Sequence, residues 1–180
     1  MLELEIPSVE LWDESTETFI VTKGQTLRLE HSLVSISKWE SKWRKPFLTN
    51  QEKTREETID YIKCMTLTQN VDPDVYNYIS DGHILTIKQY IEDPMTGTVI
   101  NKPKNSRPNR EQVTAELIYY WMIALNIPIE FQKWHLNKLM TLIEVCNIKN
   151  QPAKKMSKRE LMSRNAQLNA ARKAQFNTHG

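Results

Sequence analysis

Hydrophobic periodicity changes once along this chain, at Ser32, and that change limits the folds open to it. Before it, apolar residues recur every second position: Leu2, Leu4 and Ile6 alternate with Glu3 and Glu5, and Thr18-Phe19-Ile20-Val21 and Leu27-Arg28-Leu29 flank Lys23-Gly24. Alternation places successive side chains on opposite faces of a strand, and the punctuation predicts a β-hairpin or three-stranded unit turning at Lys23-Gly24, with an earlier turn at Asp13-Glu14-Ser15. After Ser32 the spacing becomes three and four, the repeat of a helix with one buried stripe. Ser32 caps a helix carrying Ile36, Trp39 and Trp43 that ends by Pro46. Thr54-Arg55-Glu56-Glu57 is a capping box in front of Ile59, Ile62 and Met65.

The same signals continue down the chain. Asp72-Pro73 puts a capping acid before a proline whose missing N–H is harmless at a helix start, so Val75, Tyr76 and Ile79 begin a short helix, and Ile84, Ile87 and Ile91 extend the pattern after Gly82. Residues 93–109, with three prolines and Gly97, are expected to form a loop, with a short hairpin around residues 95–99. Residues 110–125 and 129–146 read as the two strongest helices. The short Asn126-Ile127-Pro128 link between them predicts an antiparallel helical hairpin at the centre of the core. Ser157-Lys158-Arg159-Glu160 is a further capping box, opening a last helix whose apolar stripe of Leu161, Leu168 and Ala171 is thin. A free helix of about 15 to 18 residues is marginal in water, so this one is expected to lie on a surface.

The fold class expected is therefore α+β, mainly α. A small antiparallel β unit (residues 1–31) precedes a helical core (32–150) and a basic C-terminal helical arm (151–180). A chain of 180 residues with 39% hydrophobic and 26% charged side chains can bury an ordinary core without staples. Cys64 and Cys146 share no short spacing, so neither a disulfide framework nor a metal knuckle is implied and a reducing compartment is expected. The N-terminus is acidic and alternating, which predicts no export, and the apolar run at residues 117–125 is too short for a membrane span.

Charge is unevenly placed. Residues 151–180 carry seven bases (Lys154, Lys155, Lys158, Arg159, Arg164, Arg172, Lys173) against Glu160, a net +6. Taking these from totals of 24 basic and 22 acidic groups leaves 17 and 21, a net −4, for the first 150 residues. A basic arm on a mildly acidic body reads as a docking device. Its candidate partner-binding residues are Lys154, Lys155, Lys158, Arg159, Leu161, Arg164, Leu168, Arg172 and Lys173.

Chemistry is sparse. His31, His83, His135 and His179 lie at no i, i+3 or i, i+4 spacing from one another or from a cysteine, so no metal site, and no cofactor, is expected. Glu30-His31-Ser32 assembles an acid, a base and a hydroxyl, but neighbours on a strand point apart and cannot converge, so His31 is read as marking the strand-to-helix turn. His135, with Glu130 and Glu144 near it in sequence, is read as flanking a core stripe. Glycines stand singly, without a phosphate loop. No catalytic residue is assigned, and the chain is expected not to be an enzyme. Trp39 and Trp43 share a helical face beside Lys38, Lys42, Arg44 and Lys45; a core anchor is preferred there to a platform for stacking bases.

Residues 29–48 (LEHSLVSISKWESKWRKPFL), 114–150 (TAELIYYWMIALNIPIEFQKWHLNKLMTLIEVCNIKN) and 156–180 (MSKRELMSRNAQLNAARKAQFNTHG) together resemble a group of tail-module proteins encoded by tailed bacteriophages and prophages, which are similar to phage tail assembly chaperones. The resemblance implies a chaperone that binds the tape-measure protein, and tail-tube subunits, in the bacterial host cytoplasm during infection. It also admits a structural virion protein of the tail or head-tail connector. A nucleic-acid-binding regulator using the basic arm ranks behind both, and no membrane partner is expected.

Overall fold

The computed structural model describes residues 1–13, 18–49, 51–100, 112–150 and 157–177. The chain divides into two compact units, Met1–Ile148 and Lys149–Gly180. The architecture is α+β and mainly helical.

Strand β1 (Leu2–Ile6) pairs antiparallel with β4 (Gln25–Leu29), and β2 (Val9–Asp13) with β3 (Thr18–Thr22). Leu2 faces Leu29, Ile6 faces Gln25, Val9 faces Thr22 and Asp13 faces Thr18, so both ladders share one register and form one long hairpin broken in the middle. The break falls where Pro7 and Ser8 oppose Lys23 and Gly24. Pro7 has no N–H to donate to a ladder. A side chain at Gly24 would place its Cβ 2.8 Å from Ser8 N and 3.0 Å from the Ile6 oxygen. Lys23-Gly24 is therefore not the hairpin turn expected from its composition but a pinch in a longer ribbon, and Val9–Asp13 is a strand that the alternation rule passed over. The expected earlier turn at Asp13-Glu14-Ser15 reaches outside the described residues, as does most of the 93–109 loop beyond residue 100.

Alternation decides what the ribbon buries: Leu4, Ile6, Leu27 and Leu29 point into the core, while Glu3, Glu5, Thr26 and Arg28 are exposed. The outer edge of β4 is covered by the segment after α2 (Arg55–Met65): Glu30 N donates to the Met65 oxygen and Leu67 N to the Arg28 oxygen. An otherwise open strand edge is thus closed.

The capping signals are realised. Ser32 and Ser35 cap α1 (Leu33–Trp43) reciprocally, Thr54 and Glu57 cap α2, and Ser157 and Glu160 cap α6 (Lys158–Phe176). Asp72 and Pro73 start a 3₁₀ turn, Pro73–Tyr78, and Ser80 caps α3 (Asp81–Glu92). α1 is the hub on which α2, α4 (Ala115–Ala124) and a second 3₁₀ turn (Ile129–Lys133) pack. Leu33, Ile36 and Trp39 of α1 meet Ile62, Met65, Ile118, Met122, Leu136 and Leu139 in a single core that also takes in Leu4, Ile6, Leu27 and Leu29, so the ribbon and the helices up to residue 148 form one unit.

The helix expected over residues 129–146 is interrupted. After the second 3₁₀ turn the chain extends at Trp134 and His135, and α5 starts at Leu136 (Leu136–Asn150). His135 forms a β-bridge with Ser32, and Leu136 N donates to the His31 oxygen at 2.7 Å. A tertiary backbone bond here replaces a helical one, which periodicity cannot foresee.

Candidate functional site

The arm is the part of the chain singled out from sequence. Of its candidate residues, Lys154 and Lys155 lie outside the described residues; Lys158, Arg159, Leu161, Arg164, Leu168, Arg172 and Lys173 lie on α6, and every one is exposed. The local reasons for the helix are clear. Ser157 Oγ accepts from Glu160 N while the Glu160 carboxylate accepts from Ser157 N at 2.8 Å, which holds that carboxyl below its usual range. Asn177 ends the helix in the left-handed conformation, its N–H bonded to the Lys173 oxygen.

No described residue of α6 is buried. Leu161 is 48% exposed, Met162 65%, Leu168 46% and Phe176 69%, so four large apolar side chains face water among five bases and one acid. Sequence reasoning named Leu161 and Leu168 but passed over Met162 and Phe176.

In the body the structure assembles polar groups that no sequence spacing connects. His31 is buried between β4 and α1; its Nδ1 lies 2.5 Å from the Tyr61 hydroxyl, and its ring stands edge-on to that of His135 with centroids 5.1 Å apart. His135 Nδ1 accepts from Asn137 N and its Nε2 donates to the Tyr90 oxygen, the bonding pattern of a neutral ring. Tyr90 Oη donates to Glu30, whose other oxygen pairs with the N-terminal ammonium at 3.1 Å. Burial, with His135 beside it, pulls the His31 pKa down to about 3; burial also lowers that of His135 and raises those of Tyr61 and Tyr90. Both imidazoles are neutral and both phenols protonated at pH 7. With its two imidazoles and two phenols buried, the cluster acts as a clamp joining the strand-to-helix corner to α2, α3 and the start of α5.

A second set of polar contacts surrounds the tryptophans. Trp39 donates from Nε1 to the Glu57 oxygen and Trp43 from Nε1 to Asp60; the two rings stack at 6.0 Å. Lys42 also pairs with Asp60, and Lys45 with Glu57, whose carboxyl is held low chiefly by that lysine. Trp39 is core, as preferred from sequence, and unavailable for stacking nucleobases. Glu40, buried in α1, accepts from Phe47 N at 2.7 Å and Ala115 N at 2.8 Å, so a single carboxylate fixes both the turn after α1 and the first turn of α4.

Two surface features of the body remain. A groove of about 820 Å³ has apolar walls including Phe47, Ile62, Ile84, Ile87 and Ile91, and carries Lys53 and Lys88 with Glu52 and Glu92. The Lys53 ammonium lies 4.1 Å over the Phe47 ring and donates to its carbonyl; burial lowers the lysine's pKa. On α4, Tyr120 and Ile123 are largely exposed, as is Ile129 beyond it. Among the described residues no three His, Cys, Asp or Glu side chains are grouped to hold a metal ion, and no helix is long and apolar enough to cross a membrane. No protein-family model, curated protein or solved structure matches this chain.

Proposed function

We propose that this protein is a phage tail assembly chaperone that binds the tape-measure protein, and tail-tube subunits, during tail morphogenesis in the host cytoplasm. The observation that carries the reading is α6: a capped helix of 19 residues with none buried, presenting Leu161, Met162, Leu168 and Phe176 to water beside Lys158, Arg159, Arg172 and Lys173. Apolar side chains in that state are the usual mark of a binding surface. The resemblance of residues 29–48, 114–150 and 156–180 to tail-module proteins supplies the class of partner.

The physical task fits such an arm. A tape-measure chain is long, helical and apolar-striped, and until the tube closes around it that stripe invites aggregation. A small protein lending a helix to the stripe keeps it soluble and leaves when tube subunits replace it. The arm contributes the contact, and the body, with its single core and clamped corners, contributes solubility.

Co-expression tests this directly. The tape-measure protein encoded with this chain should move from the insoluble to the soluble fraction and co-purify with it, and the chain should be missing from mass spectra of finished particles. Unchanged tape-measure solubility with no co-purification would refute the proposal. Stoichiometric presence in purified virions would instead assign a structural subunit of the tail or head-tail connector.

A further inference from the structure

We infer that the segment seated on α6 is an acidic amphipathic helix of the protein partner, an inference that rests on the arm being a protein-docking element. On a wheel of about 100° per residue, Leu161, Met162, Leu168 and Phe176 fall within roughly one third of the circumference. Lys158 and Arg172 lie in that same sector, and Lys173 borders it. The opposite side holds Ser163, Gln167, Ala170, Ala174 and the lone acid Glu160. The large apolar groups therefore share a face with Lys158 and Arg172, with Lys173 at its border, while Arg159 and Arg164 lie outside it.

That mixture discriminates among occupants by charge complementarity. A second copy of α6 would set cations against cations around the leucines, which is repulsive. Phosphate neutralisation uses the bases but gains nothing from four exposed apolar side chains. Immersion in a lipid interface needs an apolar face clear of charge, and Arg172 and Lys158 interrupt this one. A protein helix with an apolar stripe edged by Glu or Asp satisfies both requirements, because its stripe covers Leu161 and Leu168 while its carboxylates meet Arg172 and Lys173. The 19 residues of α6 span about 28 Å, so the complementary segment is of similar length.

The test uses the full chain and a labelled, designed three-heptad helix with Leu at the seam and Glu at the flanking positions, compared by anisotropy with its Lys counterpart, duplex DNA and anionic phospholipid vesicles. The Glu helix should bind best. Its affinity should fall about tenfold in L161S/L168S and again about tenfold in R172E/K173E. The charge-reversed variant should in turn prefer the Lys helix. Every substituted side chain is exposed, and circular dichroism checks that α6 stays helical. Equal binding of the two helices, an unaffected leucine variant, or tighter binding of DNA or vesicles than of the Glu helix would overturn the inference. Should the variants lose tape-measure capture in cells although the Glu helix is not bound, only this inference falls; should both variants capture normally, the reading of the arm falls with it.

Discussion

His31 makes the stability of the body depend on pH with a sign and a size that can be worked from its surroundings. Its ring is 2% exposed and packed against those of Tyr61, His135 and Phe47, and its folded-state pKa is about 3. In the unfolded chain the same group titrates near 6.5. Between these values the unfolded state binds a proton that the folded state refuses, so stability is complete above about pH 6.5 and declines as pH falls toward 3. One proton corresponds to about 1.4 kcal/mol per pH unit; roughly 3 kcal/mol is lost by pH 4.5 and about 5 kcal/mol over the whole window, a large part of the 5–15 kcal/mol typical of a domain. Urea unfolding followed by tryptophan fluorescence between about pH 7 and pH 4 measures this, with His31→Gln as the comparison because the amide keeps a partner for the Tyr61 hydroxyl and cannot titrate. The variant should be about 1–2 kcal/mol less stable at pH 7 for its lost packing. It should also lose stability more slowly on acidification by close to one proton's worth, so the two curves cross between about pH 5 and pH 6. The carboxylates contribute to both proteins and cancel in the difference, and a His31→Gln/His135→Gln double variant compared with His135→Gln alone removes the contribution of the neighbouring ring. Parallel curves between pH 6.5 and 4.5 would refute the reasoning, since they would mean that His31 is free to take up its proton in the folded state.

Glu40→Ala should destabilise the body by about 3 kcal/mol, because the N–H groups of Phe47 and Ala115 lose a common buried acceptor; the urea midpoint should fall with an unchanged slope, while Glu116→Ala on the exposed side of α4 should stay within about 0.5 kcal/mol. Trp39→Ala should cost about 4 kcal/mol in the same assay, a core truncation that also orphans the Glu57 carbonyl; if it instead leaves stability intact and abolishes single-stranded DNA binding, the stacking role set aside for this residue is restored. Ser157→Ala should remove about 1 kcal/mol of capping from α6. Hydrogen exchange should accelerate at residues 158–165 and not in the body; a lowered midpoint for the body would contradict the arm's being a separate compact unit.

The readings that held are those resting on interactions between residues a few positions apart. The cap at Ser32 and the capping boxes at Thr54 and Ser157 join side chains to the same turn of backbone, and the Asp72-Pro73 start is equally local. Alternation in Leu2–Ile6 and Gln25–Leu29 is likewise a property of neighbours, so the buried set Leu4, Ile6, Leu27 and Leu29 was visible. Charge counting marked the arm, whose described bases, Lys158, Arg159, Arg164, Arg172 and Lys173, are exposed. Reading Lys23-Gly24 as a turn failed because glycine answers two needs, a positive φ or a close approach of backbones, and composition cannot say which; here Ser8 N and the Ile6 oxygen come too near for a Cβ.

The sequence by itself thus settled where α1, α2 and α6 begin, which strand face is greasy, and that positive charge gathers after residue 150, since each follows from chemistry within one or two turns of chain. Only the tertiary structure decided that His31 and His135 meet, that Glu40 reaches the distant Ala115 amide, and that the chain straightens at Trp134 and His135 to pair with Ser32. Those contacts join residues far apart in the chain, where a hydrogen bond denied to water must be made by whatever group the fold brings near, and no local spacing records which group that will be.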